Sequence, residues 1–239
     1  MEIILNPKYK HLHHFLEHLD ANFPTGELVQ QSFNEIRILR TDGLELSVKR
    51  YGHSLKRRLK FYKIAKGKRA FIGQRLLRER GYESPDPVAF VRYRKRLVTS
   101  RTYFVTIRST LAYSLDKLDN FSPTEQEAVV DAFAAFTRRL HEDGFIHHNY
   151  KAKHVLFDRD GESGWRFALI DVNRVHRKRR PIKVERGLRG FERLLLPGNL
   201  LERLTREYAR LRGFDEEEAL RIVRAAHDAY QQKVARRGR

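Results

Sequence analysis

Apolar and polar positions change period along this chain, and each change marks an element. In FNEIRILRTDGLELSVKRY (residues 33–51), Ile36 and Ile38, then Leu44, Leu46 and Val48, alternate with polar neighbours around Asp42-Gly43. Alternation at period two, with a turn dipeptide between the runs, predicts a β-hairpin. Residues 55–80 predict a helix that Gly81 ends. Pro85-Asp86-Pro87 then forces an extended exit into two strands, VAFVRY and TYFVTIR, within 88–107. Helical spacing returns at Val129, Ala132, Phe133, Phe136 and Leu140. Ser122, Pro123 and Glu125 supply a cap, a first helical position and a capping box, so a helix spans 122–143. That helix delivers Gly144-Phe145-Ile146 to a polar loop, 147–154. A short apolar strand (Val155-Leu156-Phe157), a turn through 158–161 and a second strand over 167–170 follow, the last ending on Asp171. Leu201, Leu204, Tyr208 and Leu211, then Leu220, Val223, Ala226 and Tyr230, predict two closing helices over 199–211 and 215–232, the second capped by Asp215 and Glu218. Residues 1–32 read as a helical or irregular lead-in, and the tail KVARRGR as frayed.

At 239 residues the chain has room for one domain or two small lobes, and 41% hydrophobic content argues against wholesale disorder. The absence of cysteine excludes disulfides and thiolate metal sites and fits a reducing compartment. The opening MEIILNPKYKHLHHF holds too short an apolar run for a signal peptide, and nothing later approaches a membrane span; the expectation is a soluble, cytoplasmic protein. Charge changes the picture most. Lys+Arg number 49 against 30 Asp+Glu, a formal +19, and such an excess attracts polyanions: nucleic acid, anionic headgroups or phosphorylated sugars. The cations gather in two stretches. One runs through Lys56, Arg57, Arg58, Lys60, Lys63, Lys66, Lys68 and Arg69; the other through Arg174, Arg177, Lys178, Arg179, Arg180, Lys183, Arg186 and Arg189.

Candidate chemistry sits between apolar segments. A loop of His, Asn and Lys (HHNYKAKH, 147–154) inside an apolar frame, with Asp171 at a strand end, has the make-up of a polar active site. His11, His13, His14 and His18 form a second histidine group, but no carboxylate completes a metal set there, and a surface cluster is the reading.

The spacing of these residues resembles the protein kinases, whose loop reads H-R-D-L-x-x-x-N and whose second acid ends a strand in D-F-G. HHNYKAKH falls on the first pattern and Asp171-Val172-Asn173 on the second. GFIH, VLF and ALIDVNR match the bacterial lipopolysaccharide core (Kdo/heptose) kinases in order and spacing. The resemblance implies an α+β, two-lobed protein-kinase-like fold: an N-lobe over 1–107 with a small sheet, one helix and the lead-in, and a mainly helical C-lobe over 108–239. It implies ATP and Mg as cofactors, with Lys49 on the α/β-phosphates and Asp171 and His154 in the metal-binding places. It puts Asn149 where the catalytic base belongs, Lys151 at the transferred phosphate, His147 at the loop's start, and the backbone of 104–109 along adenine. After Asp171, Arg174, Arg177, Lys178, Arg179 and Arg180 stand where kinases hold substrate, which implies an anionic glycolipid or phosphorylated sugar acid as partner, met at the inner membrane surface.

The sequence also departs from the pattern. Asn149 replaces an aspartate, and a carboxamide orients a hydroxyl but takes no proton at neutral pH. His154 replaces an asparagine, and imidazole suits hard Mg²⁺ poorly. Ile72 falls where a helix glutamate pairs the strand lysine, and GELVQQSFN has one glycine where a glycine-rich loop belongs. These losses predict a weak or inactive kinase. Two readings keep chemistry alive: His147 or His148 as base, or His147, His148 and His154 holding a transition metal with Asp171. A non-enzymatic alternative is nucleic-acid binding, with Tyr51, Phe61, Tyr62, Tyr93 and Tyr103 stacking on bases between the cations.

Overall fold

The computed structural model describes residues 1–52, 66–95, 98–162 and 164–236. The chain divides into two compact units. The first comprises Met1–Thr110 together with Asp171–Asn173, the second Leu111–Ile170 with Arg174–Arg239.

The first unit is a six-stranded antiparallel sheet covered on both faces. In chain order it contains β1 (Glu2–Leu5), α1 (His13–Glu17), α2 (Leu19–Asn22), β2 (Glu27–Gln31), β3 (Glu35–Thr41), β4 (Leu44–Arg50), α3 (Lys66–Arg78), β5 (Pro87–Lys95) and β6 (Val98–Ile107). The strands lie in the order β1-β5-β6-β4-β3-β2. The expected lead-in is therefore structural: β1 pairs β5, β2 pairs β3, and the helical turns between them cap one sheet face. Tyr9, Leu12, Leu16, Leu19 and Phe23 pack there against Leu39, Leu46, Val48, Val91 and Val105, and burying each large side chain is worth about 1.5–3 kcal/mol. Tyr51, Phe90 and Phe104 form the other face with Ala70 and Phe71 of α3.

Two covered faces explain a detail of the hairpin. Residues Asp42 and Gly43 turn it with φ of 47° and 72°, the left-handed pair that a two-residue turn requires. Ile36 and Ile38 pair across from Lys49 and Ser47, whereas Leu39 lies opposite Leu46. The two alternating apolar sets thus serve opposite faces rather than one. The run Val88-Ala89-Phe90-Val91 is wholly buried for the same reason. α3 ends as expected: Gly81 has φ 74°, and Tyr82 N–H reaches back to the Leu77 carbonyl at 3.1 Å, a Schellman closure. The earlier part of that predicted basic helix, including Lys56 to Lys63, lies outside the described residues.

The second unit holds β7 (Tyr113–Ser114), α4 (Pro123–Glu142), β8 (Phe145–His147), β9 (Val155–Asp160), β10 (Gly164–Leu169), β11 (Val175–Arg177), α5 (Val184–Arg189), α6 (Leu200–Leu211) and α7 (Glu216–Ala235). The capping box forms as the sequence implies: Ser122 accepts from Glu125 N–H, and the Glu125 carboxylate accepts from Ser122 N–H. β9 and β10 pair from Val155–Leu169 out to Asp160–Gly164, so both strands run longer than their apolar cores suggested. α6 packs on α4 and α7. Asp215 caps α7 by accepting from Glu218 N–H, while the Glu218 side chain turns to Arg221.

Candidate active site

Lys49 and Asp171, 122 residues apart in sequence, meet within the first unit. β4 carries Lys49 on the face shared with Tyr51 and α3, and its Nζ lies 2.6 Å from Asp171 Oδ1. Asn173 Nδ2 donates to the same oxygen at 2.8 Å. Asp171 has φ 54°. A non-glycine residue in that region is unusual, and aspartate is among the few that tolerate it. The Lys49 ammonium stands 5.4 Å from the Tyr51 ring centre. Burial and the Asp171 carboxylate together push the Tyr51 hydroxyl far above its ordinary pKa, and that oxygen has no hydrogen-bond partner among the described residues. Both members of the ion pair are about a fifth exposed at the side chain, so removing one would leave the other half-buried and uncompensated.

Ile72 does not face this pair. It is 43% exposed on the outer side of α3, while Ala70, Phe71, Gly73, Gln74 and Leu77 face inward. No acid occurs on α3, so Lys49 takes Asp171 as partner. Gly73 has a reason to be glycine: a Cβ there would come 2.9 Å from the Val172 carbonyl. The missing glycine-rich loop is replaced by a turn, Ser32-Phe33-Asn34, laid against Gly52, where a Cβ would fall 1.9 Å from the Phe33 carbonyl. Asn34 Oδ1 accepts from Gly52 N–H. Along the expected adenine edge, Ile107 N–H is taken by Asp86 and Arg108 N–H by Glu45. Those two N–H groups therefore serve the sheet rather than a ligand.

In the second unit the polar loop is held by its own histidines. His147, buried at the end of β8, accepts the Asn149 N–H on Nδ1 at 3.0 Å. That bond commits the Nδ1 lone pair and places the neutral ring's proton on Nε2, so His147 helps to hold the loop. His154 Nδ1 lies 3.0 Å from the Asn149 carbonyl, which only accepts, so this nitrogen carries the proton and Nε2 the lone pair. The two rings stack 6.1 Å apart. Lys151 is half-buried at the start of the 3₁₀ turn Ala152–His154. A residue that sequence reading missed completes the loop: Arg193 NH1 donates to Asn149 Oδ1 at 2.7 Å, and its guanidinium sits 4.7 Å over the Tyr230 ring. Nothing in GFERLLL marked Arg193, because its partner lies 44 residues earlier.

The basic segment is anchored by its backbone. β11 pairs β8, with Val175 opposite His147 and Arg177 opposite Phe145, and Lys178 N–H bonds the Gly144 carbonyl at 2.8 Å. Arg174, Arg177, Lys178, Arg179 and Arg180 are all exposed, and none makes an ion pair among the described residues. Elsewhere the arginines are mostly matched, as in Arg203 with Asp131 and Arg206 with Glu202.

Two sequence readings are corrected. Tyr51 and Tyr103 are buried and offer no face to a base, the Tyr93 hydroxyl bonds the Glu17 carbonyl at 3.0 Å, and Phe61 and Tyr62 lie outside the described residues. Among the described residues no three His, Asp or Glu side chains converge as a metal site, so the three-histidine reading has no geometry behind it. His14 and His18 stack edge to face at 4.7 Å on the surface.

No curated protein matches the chain. A solved structure described as WaaP in complex with acyl carrier protein is similar at TM-score 0.65 and 18% identity, over 99% of this chain and 99% of that one. At that identity the likeness speaks for the fold, which is α+β, two-lobed and protein-kinase-like. A Rio2 kinase complex from Chaetomium thermophilum aligns at TM-score 0.46 and 18% identity, over 94% of this chain and 77% of that one. The profile of the Lipopolysaccharide kinase (Kdo/WaaP) family matches residues 32–210, well over half of the chain, and the protein belongs to that family.

Proposed function

We propose that this protein binds a nucleotide through Lys49 and Asp171, transfers phosphate weakly or not at all, and takes an anionic glycolipid or phosphorylated sugar acid on its basic segment. The observation that carries this is Asn149: the residue in the base position is a carboxamide held by Arg193. General-base catalysis is worth roughly 10²–10⁴-fold, and a cation on that side chain opposes the proton transfer the reaction needs. The Lys49–Asp171 ion pair supports this reading: the ammonium would meet phosphate oxygens and the carboxylate a divalent ion. The buried Tyr51 hydroxyl, lacking a partner among the described residues, fits a site completed by ligand or water. ATP with a divalent metal, when bound, supplies the phosphoryl group and neutralises its charge. His154 offers nitrogen where an oxygen ligand suits Mg²⁺, so Mn²⁺ should serve better. No described helix is long and apolar enough to cross a membrane; contact with a cytoplasmic membrane face, in this reading, is through charge. The acyl carrier protein named with the similar WaaP structure is the second partner to test, by co-elution on size exclusion.

The test is a melting experiment with ATP and either metal. A ligand at 100 times its Kd adds about 2.7 kcal/mol; the expected result is a rise with Mn²⁺, smaller with Mg²⁺ and absent in Lys49→Ala. No rise with either metal removes the nucleotide half. Rapid phosphorylation of a Kdo- or heptose-bearing acceptor, abolished by Asp171→Ala, removes the weak-transfer half.

A further inference from the structure

The structure points to a phosphate-binding site on the second unit, and we propose that His148, His176, Arg174, Lys178 and Arg186 form it. The ligand chemistry is a phosphomonoester. The proposal rests on the acceptor-side reading above and names the residues and the group they take.

Pairing of β8 with β11 builds the site. It brings the residue after β8, His148, beside the strand that follows Asp171, and His148 N–H bonds the Arg174 carbonyl at 3.1 Å. The His148 and His176 rings then meet edge to face at 5.2 Å. Arg174 and Lys178 flank β11, and Arg186 comes from α5. Arg186, Arg174 and Lys178 lie near enough to His148 for their positive charges to disfavour its protonation. Glu185 is the only acid between residues 174 and 189. Elsewhere in this unit most arginines lie against carboxylates, as Arg203, Arg206 and Arg210 do, so the cations without a counter-charge gather along the segment that holds this group. Histidines suit the task because imidazolium adds charge and directed N–H donors only when an anion is there to stabilise it.

Burial and these neighbouring cations hold the His148 pKa below its ordinary value, so the ring is neutral at neutral pH. A dianionic phosphate reverses the local field and raises it, and binding should draw a proton from solution. The sign holds for the dianion, whose affinity increases as pH falls through the histidine range and declines above it; the probe's own second ionisation, at about pH 6, is subtracted from the proton count.

Titration calorimetry on the full chain, with inorganic phosphate and glycerol phosphate as probes in buffers of different ionisation enthalpy, tests this at pH 6 and 8. The expected results, after correction for the probe's own ionisation, are proton uptake on binding and tighter binding of the dianion at pH 6. His148→Gln with His176→Gln should abolish the uptake, and Arg174→Gln, Lys178→Gln and Arg186→Gln together should weaken binding by about tenfold or more. Sedimentation with phosphatidic acid and phosphatidylglycerol vesicles separates the sources. Binding to phosphatidic acid vesicles with only feeble binding of soluble phosphate assigns the site to a headgroup; comparable engagement of soluble probes assigns it to free phosphorylated molecules. Absence of binding to all probes overturns the proposal, as does binding with no proton uptake that the double histidine variant leaves unchanged. No nucleotide enters these measurements, so their failure is distinct from a failure of nucleotide binding at Lys49 and Asp171.

Discussion

At the scale of the residue, the contact between Arg193 and Asn149 decides what a simple reversion would do. Asn149→Asp puts a carboxylate where the kinase resemblance places the base, but Arg193 Nη1, 2.7 Å from Oδ1, would pair with it and depress its basicity. The expected outcome is that N149D alone raises turnover less than about tenfold, and that adding Arg193→Met brings the gain toward the roughly 10²–10⁴-fold typical of a general base. Initial rates on one acceptor check this; a full gain from N149D alone would contradict it. A second prediction concerns His141, which the mechanism does not use. Burial, and then the nearby Arg212, push its pKa down to about 3, and its Nδ1 lies 2.8 Å from the Tyr208 hydroxyl. The folded state keeps this ring neutral, while the unfolded chain protonates it below about 6.5. Its contribution is therefore present above pH 6.5 and lost as pH falls toward 3. Between pH 7 and pH 5 urea denaturation should show a loss of roughly 2 kcal/mol, with a shallower slope in His141→Asn.

Among the elements, the junction of α4 with β8 governs the loop. Gly144 has φ 82°, and a Cβ there would lie 2.3 Å from the Lys178 carbonyl and 2.9 Å from that of Arg180. Both contacts are backbone, so no rotamer relieves them. Gly144→Ala should cost more than the ~1 kcal/mol on which point substitutions centre, and it should displace β11 from β8. The check is a lowered melting temperature together with faster amide exchange at Lys178, whose N–H bonds Gly144. Unchanged exchange at that amide would show that the junction yields elsewhere. The same pairing of β8 and β11 seats His147 and His148 beside the basic segment, so one glycine supports both the loop and the anion site.

For the whole molecule, the question is whether +19 acts diffusely or at a place. Each cation near an anionic bilayer contributes about 1 kcal/mol, and the exposed run Arg177, Lys178, Arg179 and Arg180 lacks acidic partners among the described residues. Binding to anionic vesicles should weaken from low to physiological salt, because screening shortens the reach of exposed charges. Neutralising those four residues should reduce it more than neutralising Lys233, Arg236 and Arg237. Equal losses would mean diffuse charge. Tight binding indifferent to salt would remove charge as the cause.

Elements whose signals are local could be read from the order of amino acids alone. The capping box at Ser122, the turn at Asp42-Gly43 and the stop at Gly81 each act within a few residues, and all three form as their chemistry dictates. The spacing of HHNYKAKH to Asp171 was legible too, because a loop between two strands leaves little freedom in length. Contacts across long separations came from the packing of the whole chain. It placed the lead-in on the sheet's back face, sent the hairpin's two apolar sets to opposite sides, paired Lys49 with Asp171 and set Arg193 on Asn149. Periodicity records that a residue is apolar and how its neighbours repeat. It does not record which distant surface covers that face, since the partner is selected by packing of the whole chain and leaves no pattern in either segment alone.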